Sequence, residues 1–146
     1  MSYMLIVFVI ILDQLSKYLI YSRFAVHESI PIIKNFFHLT YVQNMGAAFG
    51  ILQNQKGFFI FMTLFVISGI FLFVHRQNNI HKVAVYSLSM IVAGAIGNFI
   101  DRVRLGYVVD FFDFRIWPVF NIADISIVVG AILLSYYIIF LDRASN

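Results

Sequence analysis

The chain has 146 residues, 62% hydrophobic and 12% charged, with mean hydropathy +0.91. A soluble domain carries roughly 25% charged residues, so the composition speaks against an aqueous globule. The absence of cysteine excludes disulfides and thiolate chemistry within the chain, and the Lys and Arg residues behind the net charge of +3 do not cluster with stacking aromatics as a nucleic-acid surface would.

Met1 to Ser22 opens with an apolar run, meets Asp13, Gln14, Ser16 and Lys17, and then resumes as Tyr18 to Tyr21. It has neither the basic start nor the small-residue cleavage site of a removed signal peptide, and reads as a retained membrane helix. A charge at mid-bilayer costs about 3 kcal/mol on insertion scales. Asp13 and Lys17 are spaced i, i+4, so they share a helical face and can pair. Either they neutralise each other near a membrane boundary, or this face lines the same cavity as the aspartates further along.

Arg23 to Lys56 is the longest polar connection. Phe37 to Gln43 is β-branched and aromatic with partial alternation, which suits a short strand. Asn44 to Gly50 follows as a bend and a small-residue, half-apolar turn able to lie flat against a membrane. Gly57 to Val74, Val83 to Ile100 and Ile122 to Leu141 are each long enough to cross a bilayer. The middle one carries Ala93, Gly94, Ala95 and Gly97, small residues that let helix backbones approach closely. Asp142 and Arg143 end the last span. Together with the first helix this makes four spans, approximately 3–22, 57–74, 83–100 and 122–141, with both termini on one side of the membrane. Arg76, Lys82 and Arg143 lie on that side, against Arg23, Lys34, Lys56, Arg102, Arg104 and Arg115 on the other. The positive-inside rule therefore favours termini outside. The histidines, His27, His38, His75 and His81, have no metal-ligand spacing such as HExxH.

Four of the seven acidic residues fall between Asn98 and Asp124, where two spans are joined. Asn98-x-x-Asp101 and Asn121-x-x-Asp124 repeat one spacing at facing helix ends. The second has a purely structural explanation as an N-cap with an acid three positions later, and an acid there complements the helix dipole. Asp101, at a helix C-terminus, opposes the dipole and reads as an ion-pair anchor offset by Arg102 and Arg104. Tyr107 to Ile116 reads as an extended segment. Alternation sets Asp110 on an apolar face with Val108 and Phe112, and Asp113 on the other with Arg115 as its partner. A carboxyl on an apolar face is expected to hold its proton more tightly than usual. Two carboxyls in contrasting environments, Asp110 and Asp124, form the pattern for dividing acid and base roles. Asp101 with Asp124 is the alternative pair.

Asp13-x-x-x-Lys17, Asn44-x-Gly-Ala-Ala-Phe, Gly94-Ala-x-Gly-Asn-x-x-Asp-Arg102, Val108-Val-Asp-Phe111 and Phe120-Asn-x-Ala-Asp124, in this order, resemble the motifs of lipoprotein signal peptidase (signal peptidase II). Two departures are Ala93, where that family often has a second glycine, and a compact segment between Asp110 and Asp124. The resemblance implies an all-α membrane protein: one domain of four transmembrane helices, with a small extracytoplasmic β element and a short membrane-lying helix. It implies an aspartic endopeptidase of the bacterial cytoplasmic (inner) membrane, monomeric and without cofactor or metal, that cleaves diacylglyceryl-modified prolipoproteins before the lipidated cysteine. Asp110 and Asp124 would be its catalytic pair. Asn44, Asn98, Arg102 and Asn121 would contact substrate or steady the aspartates, and Asp13, Lys17 and Asp101 would support the site. Membrane lipid is an implied partner and nucleic acid is not. Both termini would be cytoplasmic, the reverse of the charge count. A small proton-coupled transporter or channel component is the competing class; it calls for acids strung along a transmembrane path rather than gathered at one face beside an extended loop.

Overall fold

The computed structural model describes residues 1–46, 52–77 and 79–141. Its elements run α1 (Tyr3–Arg23), β1 (Ser29–Ile33), β2 (Phe37–Asn44), α2 (Lys56–Arg76), α3 (Lys82–Arg104), β3 (Val108–Asp113) and α4 (Ile122–Tyr136), the last continuing as a π-helical turn, Tyr137–Leu141. The four helical segments have 20 to 23 residues and are apolar enough to cross a membrane. At 1.5 Å per residue they match a hydrocarbon core of about 30 Å.

On α1 the buried residues are Ile6, Val9, Asp13, Lys17 and Ile20, a single stripe at helical spacing. The other faces expose Met4, Phe8, Ile11, Leu15 and Tyr18, and a continuous apolar surface of that kind belongs against lipid. α3 is the hub and packs on α1, α2 and α4. Its small residues bring α4 and α1 close. A Cβ on Gly94 would overlap the Ala123 carbonyl oxygen, and one on Gly97 would lie 2.6 Å from Asp13 Oδ2. α2 buries no residue and rests on α3.

The loops between the spans form a three-stranded antiparallel sheet of order β1-β2-β3. The strand expected at 37–43 and the extended segment expected at 107–116 are both present, as β2 and β3. The structure pairs them, with Val42 opposite Asp110 and Asn44 opposite Val108, and adds β1 on the outer edge. "All-α" therefore describes the bundle only, because the hairpin and β3 satisfy their backbone groups as a sheet. Ile20, Tyr41, Val109 and Phe111 form the core that joins the sheet to the end of α1. The half-apolar turn expected to lie on the membrane falls mostly on 47–51, outside the described residues, as do Asp142 and Arg143.

Candidate active site

α4 starts at Asn121, whose side-chain oxygen accepts from the Asp124 N–H (2.9 Å) while Asp124 Oδ2 accepts from the Asn121 N–H (3.2 Å). This is a complete capping box. Because the cap uses the amide oxygen of Asn121, the nitrogen is turned away from the helix. It donates to Asp110 Oδ1 at 2.7 Å and Asn98 Oδ1 at 3.1 Å. One asparagine therefore holds both carboxyls, so the capping role and a site role coexist.

The register of the sheet supplies the other side of Asp110. Asn44, diagonal to it on β2, donates to Oδ2 at 2.8 Å. The Asn44 oxygen accepts from Gly46 N–H at 2.9 Å, which fixes the orientation of the amide. Asp110 is 1% exposed. Burial first, and then the charge of Asp124, push its carboxyl up to about 7, against the pull of the Asn44 and Asn121 hydrogen bonds and the more distant Lys17 charge. Asp124 is less buried and accepts from Asn98 Nδ2 at 2.8 Å.

Beneath this pair lies an ionic node with every donor used. Lys17, 2% exposed, sends its ammonium to Asp13 Oδ2 (2.9 Å), Asp101 Oδ2 (3.0 Å) and Asn98 Oδ1 (2.9 Å). Gln14 adds donations to Asp13 Oδ2 (3.2 Å) and Asp101 Oδ1 (3.0 Å). The same two carboxylates take backbone N–H groups from the elements that carry the upper pair. Asp13 Oδ1 accepts from Ala123, one residue before Asp124, and Asp101 Oδ2 accepts from Val109, one residue before Asp110. A buried charge is tolerated when paired and fully hydrogen-bonded, and here the pairing also sets two chain segments side by side.

Three sequence expectations change in detail. The Asp13–Lys17 pair exists, but it is one edge of the node, through which the polar face of α1 is bonded to Asn98, Asp101 and the Ala123 N–H. Asp101 is an ion-pair anchor whose partner is Lys17 rather than Arg102 or Arg104. Arg102 instead donates to the Gly46 carbonyl at 3.2 Å and lies 4.6 Å above the Phe59 ring, facing the charges of Asp124, Asp110 and Asp101. Asp113 pairs with Arg115 at 3.4 Å as expected. Burial opposes its charge, yet the Thr40 hydroxyl, the Arg115 N–H and the neighbouring Arg115 and His38 outweigh it and hold the carboxyl below its usual range. Gln14, one of the polar residues of α1, and Phe59 stand outside the candidate site set, because neither carries a spacing signal that marks it for the site.

The nine residues singled out from the sequence thus meet in one network, eight through side-chain bonds and Arg102 through Gly46. Their acids are Asp101 near the end of α3, Asp124 at the start of α4, Asp110 on β3 and Asp13 within α1, and they gather in one cluster beside the sheet. Two apolar cavities flank them. One of about 310 Å³ sets Asp124 among Trp117, Phe120, Ile125 and Val128. The other, about 300 Å³, has Asn98 and Arg102 at one wall and Phe59, Met62 and Val66 at the other. Among the described residues no group of three or more His, Asp or Glu is arranged to hold a metal ion.

Residues 5–140 match the family model described as "Signal peptidase (SPase) II". A lipoprotein signal peptidase of Halothermothrix orenii is 52% identical over 138 residues, 94% of each chain. Another, of Caldanaerobacter subterraneus subsp. tengcongensis, is 53% identical over 145 residues, 96% of this chain and 97% of its own. A solved structure described as "Bacterial membrane enzyme structure by the in meso method at 2.3 A resolution" superposes with TM-score 0.89 at 38% identity, covering 99% of this chain and 90% of that one.

Proposed function

The chain belongs to the signal peptidase II family, and from that premise we propose that it is an aspartic endopeptidase of the bacterial cytoplasmic membrane. It is a multi-pass membrane protein by its four spans and its likeness to membrane enzymes. On this reading it works as a single monomeric domain with cytoplasmic termini. It releases signal peptides from diacylglyceryl-modified prolipoproteins by cutting before the lipidated cysteine. The observation that carries the mechanism is the shared contact of Asn121 with Asp110 and Asp124, two carboxyls of unequal burial at a membrane boundary between apolar cavities.

Asp110, the more buried, holds the proton near neutrality, and Asp124 is the base. Asp124 takes a proton from a water as its oxygen attacks the scissile carbonyl carbon. Asp110 donates a hydrogen bond to the carbonyl oxygen, where negative charge develops. Breakdown of the tetrahedral intermediate expels the amine, which receives the proton Asp124 collected. Arg102, facing both acids, steadies the negative charge they share with the intermediate. The flanking cavities give the acyl chains and the apolar signal segment a place out of water. The test is incubation of the purified enzyme with a diacylated prolipoprotein and with its unlipidated form. Cleavage of the lipidated form alone is expected; equal cleavage of both would refute the substrate assignment.

A further inference from the structure

We propose that the cavity at the end of the bundle remote from the carboxylates binds an anionic phospholipid. The second half of α2, the first turns of α3 and the end of α4 enclose about 520 Å³, a volume within the range of ligand pockets. Its walls include Gly69, Phe73, Ala84, Leu88 and Ile138, and its rim includes Gln77 and Asn79. From Gly69 to Gln77 is about 12 Å of helix, so the cavity runs from a polar mouth into the hydrocarbon depth of the bilayer. This is the shape of an amphiphile, with head outside and tail within.

Charge selects the kind of head. Gln77 follows His75 and Arg76, and Asn79 is followed closely by His81 and Lys82. No Asp or Glu occurs from Lys56 to Ile100, and Asp142 and Arg143, which follow α4, cancel in charge, so the stretch of chain that supplies the rim residues Gln77 and Asn79 is net basic through Arg76 and Lys82. His81 caps α3, its Nδ1 accepting from Val83 N–H at 3.2 Å, and its ring stacks on Tyr137 of the cavity wall at 5.4 Å. There α4 gives way to a π-helical turn over Tyr137–Leu141, a rare deviation that is frequent at functional sites. Basic mouths between transmembrane helices suit anionic lipid heads. The other apolar occupant to consider is a signal segment, whose leading end is positively charged and would be repelled by Arg76 and Lys82. The site is separate from the carboxylate network: from Leu88 to Asn98 is about 15 Å along α3.

The test compares phosphatidylglycerol with phosphatidylcholine as added lipid on the full-length protein, read by native mass spectrometry and by thermal midpoint. The wild type is expected to retain phosphatidylglycerol selectively and to gain about 3 °C in midpoint over phosphatidylcholine. Gly69→Leu fills the cavity, because nothing lies within 4 Å of a Cβ at that position, and leucine is the better helix former. It is expected to fold, while losing the retained lipid and the midpoint gain. Arg76→Gln with Lys82→Gln is expected to abolish the preference for the anionic head. Equal retention of both lipids by the wild type, or undiminished phosphatidylglycerol retention in Gly69→Leu, would overturn the proposal. So would displacement of the lipid by a synthetic signal peptide, which would give the cavity to that segment.

Discussion

The ammonium of Lys17 stands 2.9 Å from the side-chain oxygen of Asn98 and so decides which way that amide faces. With its oxygen held by Lys17, Asn98 has its nitrogen left for Asp124. Lys17→Met would leave Asp13 and Asp101 buried without their shared cation. Breaking a buried pair costs about 3–5 kcal/mol. The variant is expected to melt well below the wild type and to lose cleavage. Adding Asp101→Asn to Lys17→Met should recover part of the stability, because one unpaired charge is removed. Thermal unfolding in detergent measures both; a double variant no more stable than the single one would count against the node.

Asp110→Asn and Asp124→Asn are each expected to lower cleavage by about 10³-fold, within the range for removing a positioned acid or base. Both should insert and fold, since asparagine keeps the size of the side chain. Asp101→Asn separates this pair from the alternative one. It should damage stability together with activity, because Asp101 holds Lys17 and the Val109 N–H rather than a reacting group. A folded Asp101→Asn protein that is inactive, beside an active Asp110→Asn, would reverse the assignment.

Burial and the charge of Asp124 raise the Asp110 carboxyl to about 7 from an ordinary 3.8. Between those values the folded protein binds a proton that the unfolded chain releases. The contribution of this group to stability is therefore full below about pH 4 and is lost as pH rises through about 7, by up to about 1.4 kcal/mol per pH unit. Relative to Asp110→Asn, the wild type is expected to lose stability over that window. Its kcat/KM should fall on the alkaline side as Asp110 gives up its proton. Parallel pH profiles for the two proteins would contradict this.

Gly94→Ala and Gly97→Ala test the helix contacts. A methyl at 94 meets the Ala123 backbone, which cannot move cheaply, and one at 97 meets the Asp13 carboxylate. Each is expected to destabilise by about 1–3 kcal/mol, as overpacking does. Each should also weaken cleavage, since Ala123 precedes Asp124 and Asp13 holds its N–H. Gly57→Ala, where nothing lies within 4 Å, is the control and should melt at or slightly above the wild type, since alanine is the better helix former.

Much of the architecture was legible because lipid allows few solutions. Runs of 18 or more apolar residues with small-residue stripes have little choice but to be packed spans, and the asparagine–aspartate spacings marked where helices begin and end. The partnership of Asp101 with Lys17 was not legible. It joins residues 84 positions apart across two helices, whereas Arg102 and Arg104 are its neighbours in the chain and dominate any local reading. β1 escaped for a similar reason. Its residues, largely exposed apolar ones around a proline, gain their strand conformation from pairing with β2 rather than from any pattern of their own. The full use of Asn121 was also hidden. A capping motif accounts for its oxygen, and only the position of β3 shows where its nitrogen goes.

That double duty has a thermal consequence. The first turn of α4 and the placing of the Asp110 carboxyl hang on the same side-chain amide, and the Asp124 carboxyl on the backbone N–H of that residue, so fraying of a single turn disarms the protein while its spans are still assembled. Heat should therefore silence it reversibly several degrees before circular dichroism registers any loss of helix. An activity loss coinciding with the global melt would show that the turn is held by more than its cap.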